Sequence, residues 1–338
     1  MKIIKTLMVP LLLLAMLTAC GQGSSSGSSK NEKVSGSLTF YTSQPDTDEQ
    51  KLVAAFNKRY PDVKVNVFRS GTEDVMSKIQ AEKKSGKTQA DVLLLADAVT
   101  FETLKDDHLL LSYKSKEAKD FPKELVDPDG YYTGTKVMAT ALAVNTKKVK
   151  HMPTSWKVLT DAKTKGQSIM PSPLYSGAAA YNLGIFTRDQ QFGWSFYQNL
   201  KKNKLTVVQG NGDVLKSVAS GDKAYGMVVD YIVANAVKQG SPIKLIYPSE
   251  GSPVITEPIG IMKSTKNKRA AEAFVDFVLS ETGQKLAAQL GYTPIRKGVK
   301  APEGLKTIDK LHVLSADIKT LNQARTADKN KFSDLFGK

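Results

Sequence analysis

The chain has 338 residues, with 48 Lys and Arg against 33 Asp and Glu and a formal net charge of +15. That length accommodates two lobes of ordinary domain size. The basic surplus suits an anionic envelope or an anionic solute, but Lys83-Lys84, Lys147-Lys148 and Lys201-Lys202 are isolated pairs without interleaved aromatics, which argues against nucleic acid as a partner.

Lys2 and Lys5 precede an apolar run over 7–17 that leads into Leu17-Thr18-Ala19-Cys20. A basic start, a short apolar stretch and small residues before a cut make a secretory signal. The run is shorter than the roughly 20 residues a spanning helix needs. Cys20 is the only cysteine, so it has no internal disulfide partner. Leu-Thr-Ala-Cys resembles the bacterial lipoprotein signal, which implies removal of residues 1–20 up to an acylated Cys20. The expected location is the extracellular face of the cell membrane, lipid-anchored. Residues 21–29 are Gly, Gln and Ser alone, a composition that makes a flexible tether rather than a core. The tether is expected to run to residue 35.

The folded part opens with an alternating strand over 37–41 and a helix over 49–59, in which Leu52, Val53 and Phe56 recur at helical spacing until Pro61 stops it. A strand over 63–67, a helix over 73–84 and an apolar strand over 91–95 follow. This βαβαβ order predicts an α/β lobe with helices on both sheet faces. The middle of the chain continues with strands over 139–144 and 168–170, and helices over 177–186 and 190–201. Strands over 205–208 and 224–229 alternate with helices over 212–219 and 231–238. A strand over 254–261 and helices over 268–279 and 282–290 complete the pattern.

Several stretches carry a family likeness: LTFYTSQPDTDEQKLVAAF, ADVLLLAD, YSGAAAY, GDKAYGMVVDYIVANAVKQG and NKRAAEAFVDFVLSETGQKLAAQLGYTPIR. Over residues 40–328 the chain resembles the type II periplasmic-binding-protein fold, within its ferric-iron-binding subfamily. The resemblance implies a two-lobed α/β fold, each lobe a mixed sheet flanked by helices, joined by crossing hinge strands near 139–145 and 256–261. Lobe 1 is expected over 36–138 with 258–300, and lobe 2 over 139–257 with 301–338. It also implies a monomeric solute-binding component without a cofactor, serving the permease and ATPase subunits of an ABC importer or a membrane sensor.

Ferric-binding members hold iron with adjacent tyrosines, a hard-oxygen set that suits the ion. Here the matching positions are Asp230-Tyr231, with one phenolate. The family histidine falls at Pro45 and the family glutamate at Asp97. Tyr41 and Tyr181 stand at positions where relatives recruit other tyrosines, so Tyr181, Asp230 and Tyr231 form an alternative ferric site. The family's anion seat is better matched, by Ser176-Gly177-Ala178 and Asn211. Exposed N–H groups at a helix start favour an anion, although Ser followed by Gly also suits a plain helix cap. A kept anion seat beside an altered metal seat implies a small phosphorylated organic anion of the hexose-phosphate or phosphonate class. Thr42, Ser43 and Asp97 are expected to close over it from the first lobe. Asp230 and Glu257 would accept from its hydroxyls or pair with an ammonium, with Tyr41, Tyr181 and Tyr231 as aromatic walls.

An enzyme is not expected. His108, His151 and His312 stand beside no nucleophile, no Gly-x-Ser-x-Gly turn is present, and the one cysteine is assigned to lipid. No zinc or P-loop spacing appears either.

Overall fold

The computed structural model describes residues 33–337. The expected signal, the lipidation site Cys20 and all but the last few tether residues lie outside the described residues. In chain order the elements are β1 (Gly36–Thr42), α1 (Asp46–Arg59), β2 (Val63–Arg69), α2 (Thr72–Lys84), β3 (Val92–Leu94), α3 (Ala98–Asp106), β4 (Leu110–Leu111) and β5 (Tyr132–Asn145). Then come β6 (Ser168–Pro171), α4 (Gly177–Arg188), α5 (Gly193–Lys202), β7 (Thr206–Val208), α6 (Asn211–Ser220), β8 (Tyr225–Val229), α7 (Asp230–Lys238) and β9 (Ile243–Ile246). The chain ends with β10 (Ser252–Met262), α8 (Lys268–Leu279), α9 (Glu281–Gln289), β11 (Thr293–Pro294), β12 (Val313–Leu314) and α10 (Ile318–Phe336). Among the described residues no helix is long and apolar enough to cross a membrane.

The strands follow the order β2-β1-β3-β10-β5-β8-β6-β7. β1 is parallel to β2 and β3, and their connections are the helices that cover the sheet. β10 returns antiparallel to β3. β5 pairs with β10 along its first part and with β8 and β9 along its last part, so one strand crosses from one half of the sheet to the other. β6 lies parallel to β7 and β8 in the second half. The result is the two-lobed α/β fold with crossing strands.

Each lobe has an aromatic centre. In the first, Phe56 meets Phe274 edge-on at 4.8 Å and Phe277 at 5.6 Å. In the second, Phe186 meets Trp156 at 5.4 Å and Phe192 at 4.9 Å. Such pairs contribute about 0.5–1.5 kcal/mol each beyond the area they bury.

α3, β4, β9, β11 and β12 are not in the sequence reading, and three further elements depart from it. The strand expected from residue 139 begins at Tyr132, because buried Thr133, Thr135 and Lys136 carry its first half without apolar periodicity. α10 went unread because only Leu321, Asp328 and Phe332 of its 19 residues are buried. α5 starts at Gly193, whose φ of 59° ends the preceding turn, rather than at residue 190.

Candidate binding cleft

A cleft of about 410 Å³ opens between the two halves of the sheet. From the first lobe it is lined by Ser43, Pro45, Arg69, Gly71, Thr72 and Ala96, and from the crossing strands by Met138 and Glu257. Tyr175, Ser176, Gly177, Ala178, Asn211 and Tyr231 face them from the second lobe.

The polarity of this space comes from helix starts. α2 begins at Thr72, α4 at Gly177 and α6 at Asn211, and each presents its first residues to the cleft. The N–H groups left unpaired at such starts and the positive dipole end favour negative charge, although in α2 the Glu73 N–H is already taken by Tyr175 O. Ser176 caps α4 by accepting from Ala179 N at 3.3 Å. Asn211 bridges the second-lobe elements, since its Nδ2 donates to Ser176 Oγ at 3.4 Å and its Oδ1 accepts from Val229 N at 3.2 Å. Across the cleft, Thr72 Oγ1 donates to Ser43 Oγ at 3.0 Å.

The lobes touch here. Glu73 N donates to Tyr175 O at 3.2 Å. A Cβ on Gly177 would stand 2.8 Å from Thr72 Cβ, and one on Gly71 would stand 2.5 Å from Tyr175 O. Both glycines are therefore required by the close approach of the opposite lobe.

Glu257 supplies the one carboxylate on the crossing strands that reaches the cleft. The β5–β10 register slips between Thr256 and Pro258, and such an irregularity re-aims the side chain it carries. Glu257 is 4% exposed. Lys136 Nζ lies 2.6 Å from its Oε2 as an ion pair, and Oε2 is itself buried. Behind it, Tyr231 stacks on Tyr292 with centroids 4.0 Å apart, and Tyr292 donates to Asp48 Oδ2 at 2.7 Å.

Of the expected site residues, Ser43, Ser176, Gly177, Ala178, Asn211, Tyr231 and Glu257 come together in the cleft. Three others do not. Thr42 is fully buried and donates to Leu94 O at 2.9 Å. Asp97 is fully buried under Arg325, whose two terminal nitrogens lie 3.1 and 3.0 Å from its oxygens. Asp230 is held inside the protein, accepting from Ala139 N at 3.1 Å, Tyr231 N at 2.8 Å and Tyr247 Oη at 2.8 Å. Burial raises its carboxyl to about 6 against those hydrogen bonds.

The alternative metal set is likewise dispersed. Tyr181 lines a separate small cavity beside Arg325 and Asp328, where burial, then the charge of Asp97, raises its phenol to about 12. Tyr41 donates to Glu82 on α2 instead of walling the cleft. Arg69, Thr72 and Tyr175 were missed from sequence. Ser70-Gly71-Thr72 repeats the Ser-Gly-small pattern of 176–178 directly before a helix, and that repetition was the available signal.

A family model described as "bacterial extracellular solute-binding protein" matches residues 51–311. The chain belongs to that family. Among curated relatives of this solute-binding protein, an uncharacterized protein of Haemophilus influenzae is 28% identical over 267 residues, 76% of each chain. Iron uptake protein A1 of Synechocystis is 24% identical over 302 residues, covering 84% of this chain and 82% of the relative. Among solved structures, periplasmic binding protein AfuA of Actinobacillus pleuropneumoniae, with exogenous fructose-6-phosphate bound, has a TM-score of 0.82 and 24% identity, covering 90% of this chain and 99% of that one. Iron-bound HitA of Pseudomonas aeruginosa has a TM-score of 0.77 and 23% identity, covering 88% and 99%. At these identities the two structures establish the fold alone, the type II periplasmic-binding-protein fold.

Proposed function

We propose that this solute-binding protein captures a small phosphorylated sugar between its lobes and delivers it to the permease and ATPase subunits of an ABC importer, as a monomer held by lipid at Cys20 on the extracellular face of the membrane. The carrying observation is the convergence of the α2, α4 and α6 starts on one cleft together with the Ser43, Thr72, Ser176 and Asn211 side chains. That is a seat for a multiply charged oxyanion. The organic end extends toward Glu257. Because Lys136 already neutralises Glu257, a hydroxyl fits beside this carboxylate better than a second cation, which favours the hexose-phosphate class over an aminoalkyl phosphonate. The fructose-6-phosphate bound to AfuA supports the same reading. The two bodies that close are expected to follow the 36–138 with 258–300 and 139–257 with 301–338 division, about β5 and β10.

Calorimetric titration of the metal-free mature protein with glucose 6-phosphate, 2-aminoethylphosphonate and ferric citrate tests this. Glucose 6-phosphate is expected to bind tightest. Tight iron binding with a phenolate charge-transfer colour, and no response to the organics, would instead assign the Tyr231–Tyr292 hydroxyl pair, 3.0 Å apart, to a metal.

A further inference from the structure

Ala96 stands between β3 and α3 and lines the cleft. Its amide meets two hydroxyls, donating to Ser43 Oγ at 3.2 Å and to Thr72 Oγ1 at 3.3 Å. Thr72 Oγ1 donates in turn to Ser43 Oγ. Ser43 Oγ thus accepts twice, and a hydroxyl whose lone pairs are filled directs its own proton elsewhere. Here that direction is the cleft, and a donor is what an anion requires.

The amides on either side, Leu95 N and Asp97 N, donate to Pro258 O at 3.4 Å and Thr256 O at 3.2 Å, and the residue that follows Ala96 is strained. Asp97 has φ 73° and ψ 152°, a region occupied almost only by glycine, where another residue persists only if its surroundings over-determine it. Its carboxylate caps α3, accepting from Thr100 N at 2.9 Å. It also receives both arms of the Arg325 guanidinium, which comes from α10, 228 residues further along. The same guanidinium donates to Glu73 Oε1 at 2.6 Å, one residue beyond Thr72. Arg325 therefore grips both residues that adjoin the Ser43–Ala96–Thr72 cluster, from outside the cleft lining.

We propose that Arg325 is a positioning residue for the first-lobe half of the anion seat: through Asp97 and Glu73 it aims Ala96 N–H at Ser43 and Thr72, and so makes Ser43 a donor to the bound anion. Only this last step rests on the phosphate reading of the cleft.

Arg325→Met alone strands the buried Asp97 charge, so the main variant combines Arg325→Met with Asp97→Asn, which keeps an oxygen to cap α3. Glu73 keeps Lys329 as a partner. In the ligand-free full chain, hydrogen exchange at Ala96 N–H is expected to rise about tenfold or more relative to Phe40 N–H in β1. Titrated with inorganic phosphate, the double variant is expected to lose about tenfold in affinity, and adding Ser43→Ala should lower it little further, because residues acting in one network do not add. Arg325→Lys should recover part of the loss. An unchanged Ala96 exchange rate, or losses that multiply with Ser43→Ala, overturns the proposal. Absence of phosphate binding by the unaltered protein defeats the functional reading instead, while the Ala96 exchange still decides the role of Arg325.

Discussion

Asp230 and Glu257 illustrate how two carboxylates on one chain acquire opposite roles. Glu257 faces the cleft with a lysine at its side, whereas Asp230 is 1% exposed and surrounded by protein donors. With its carboxyl raised from the ordinary range to about 6 by burial, the folded state binds the Asp230 proton more tightly than the unfolded chain. Stability is therefore expected to fall as pH rises from about 4 to about 6, by about 2–3 kcal/mol, and to stay level above that window. Asp230→Asn should remove this slope, its oxygen keeping the Ala139 and Tyr231 N–H bonds while its NH2 donates to the Tyr247 hydroxyl. Urea midpoints of both proteins at pH 4, 5, 6 and 7 check it, and parallel curves would mean that another group dominates the window.

At the scale of elements, the helix starts are the units that make the cleft. α4 is built from small residues, Gly177 through Ala180, which lets its first turn approach the opposite lobe. A methyl at Gly177 meets Thr72 only because the lobes are together, 2.8 Å from its Cβ. Gly177→Ala is expected to lower solute affinity about tenfold or more, about 1.4 kcal/mol, by holding the cleft ajar. X-ray scattering in saturating solute should then report a larger radius of gyration than for the unaltered protein. Equal radii would show that the cleft closes around the methyl. α10 is the other element of consequence, because it bonds Thr103 and Asp97 in the first lobe through Asn322 and Arg325, and Arg188 in the second through Asp328.

For the whole molecule, a closed cleft is a linkage problem: solute that binds only the folded chain stabilises it by mass action. At a solute concentration about one hundred times the dissociation constant the gain is about 2.7 kcal/mol. A chain of this size should answer with a rise of roughly 4 °C in melting temperature. Thermal melts across a glucose 6-phosphate series check this, and a midpoint that stays constant would contradict solute capture by the native fold. The charged surface enters at this scale too, since the basic surplus of the chain would draw the proposed anionic solute toward the protein at low ionic strength.

By itself the sequence determined the fold class and the capped start of α4, because both are written in local patterns. The alternation of strands and helices, the Pro61 stop and the Ser176-Gly177-Ala178 cap depend on neighbours a few residues away. Tertiary structure alone decided which polar groups the solute meets. Asp230 reads as a cleft carboxylate from its place at a strand end and Asp97 from its match to the family glutamate, yet each is taken up by a partner from elsewhere, Tyr247 after β9 and Arg325 on α10. Glu257 enters the cleft through a register slip between β5 and β10, strands more than a hundred residues apart in the chain. A helix start carries its own unpaired N–H groups wherever it lies, whereas the direction of a buried carboxylate is set by whichever distant donor the fold brings to it.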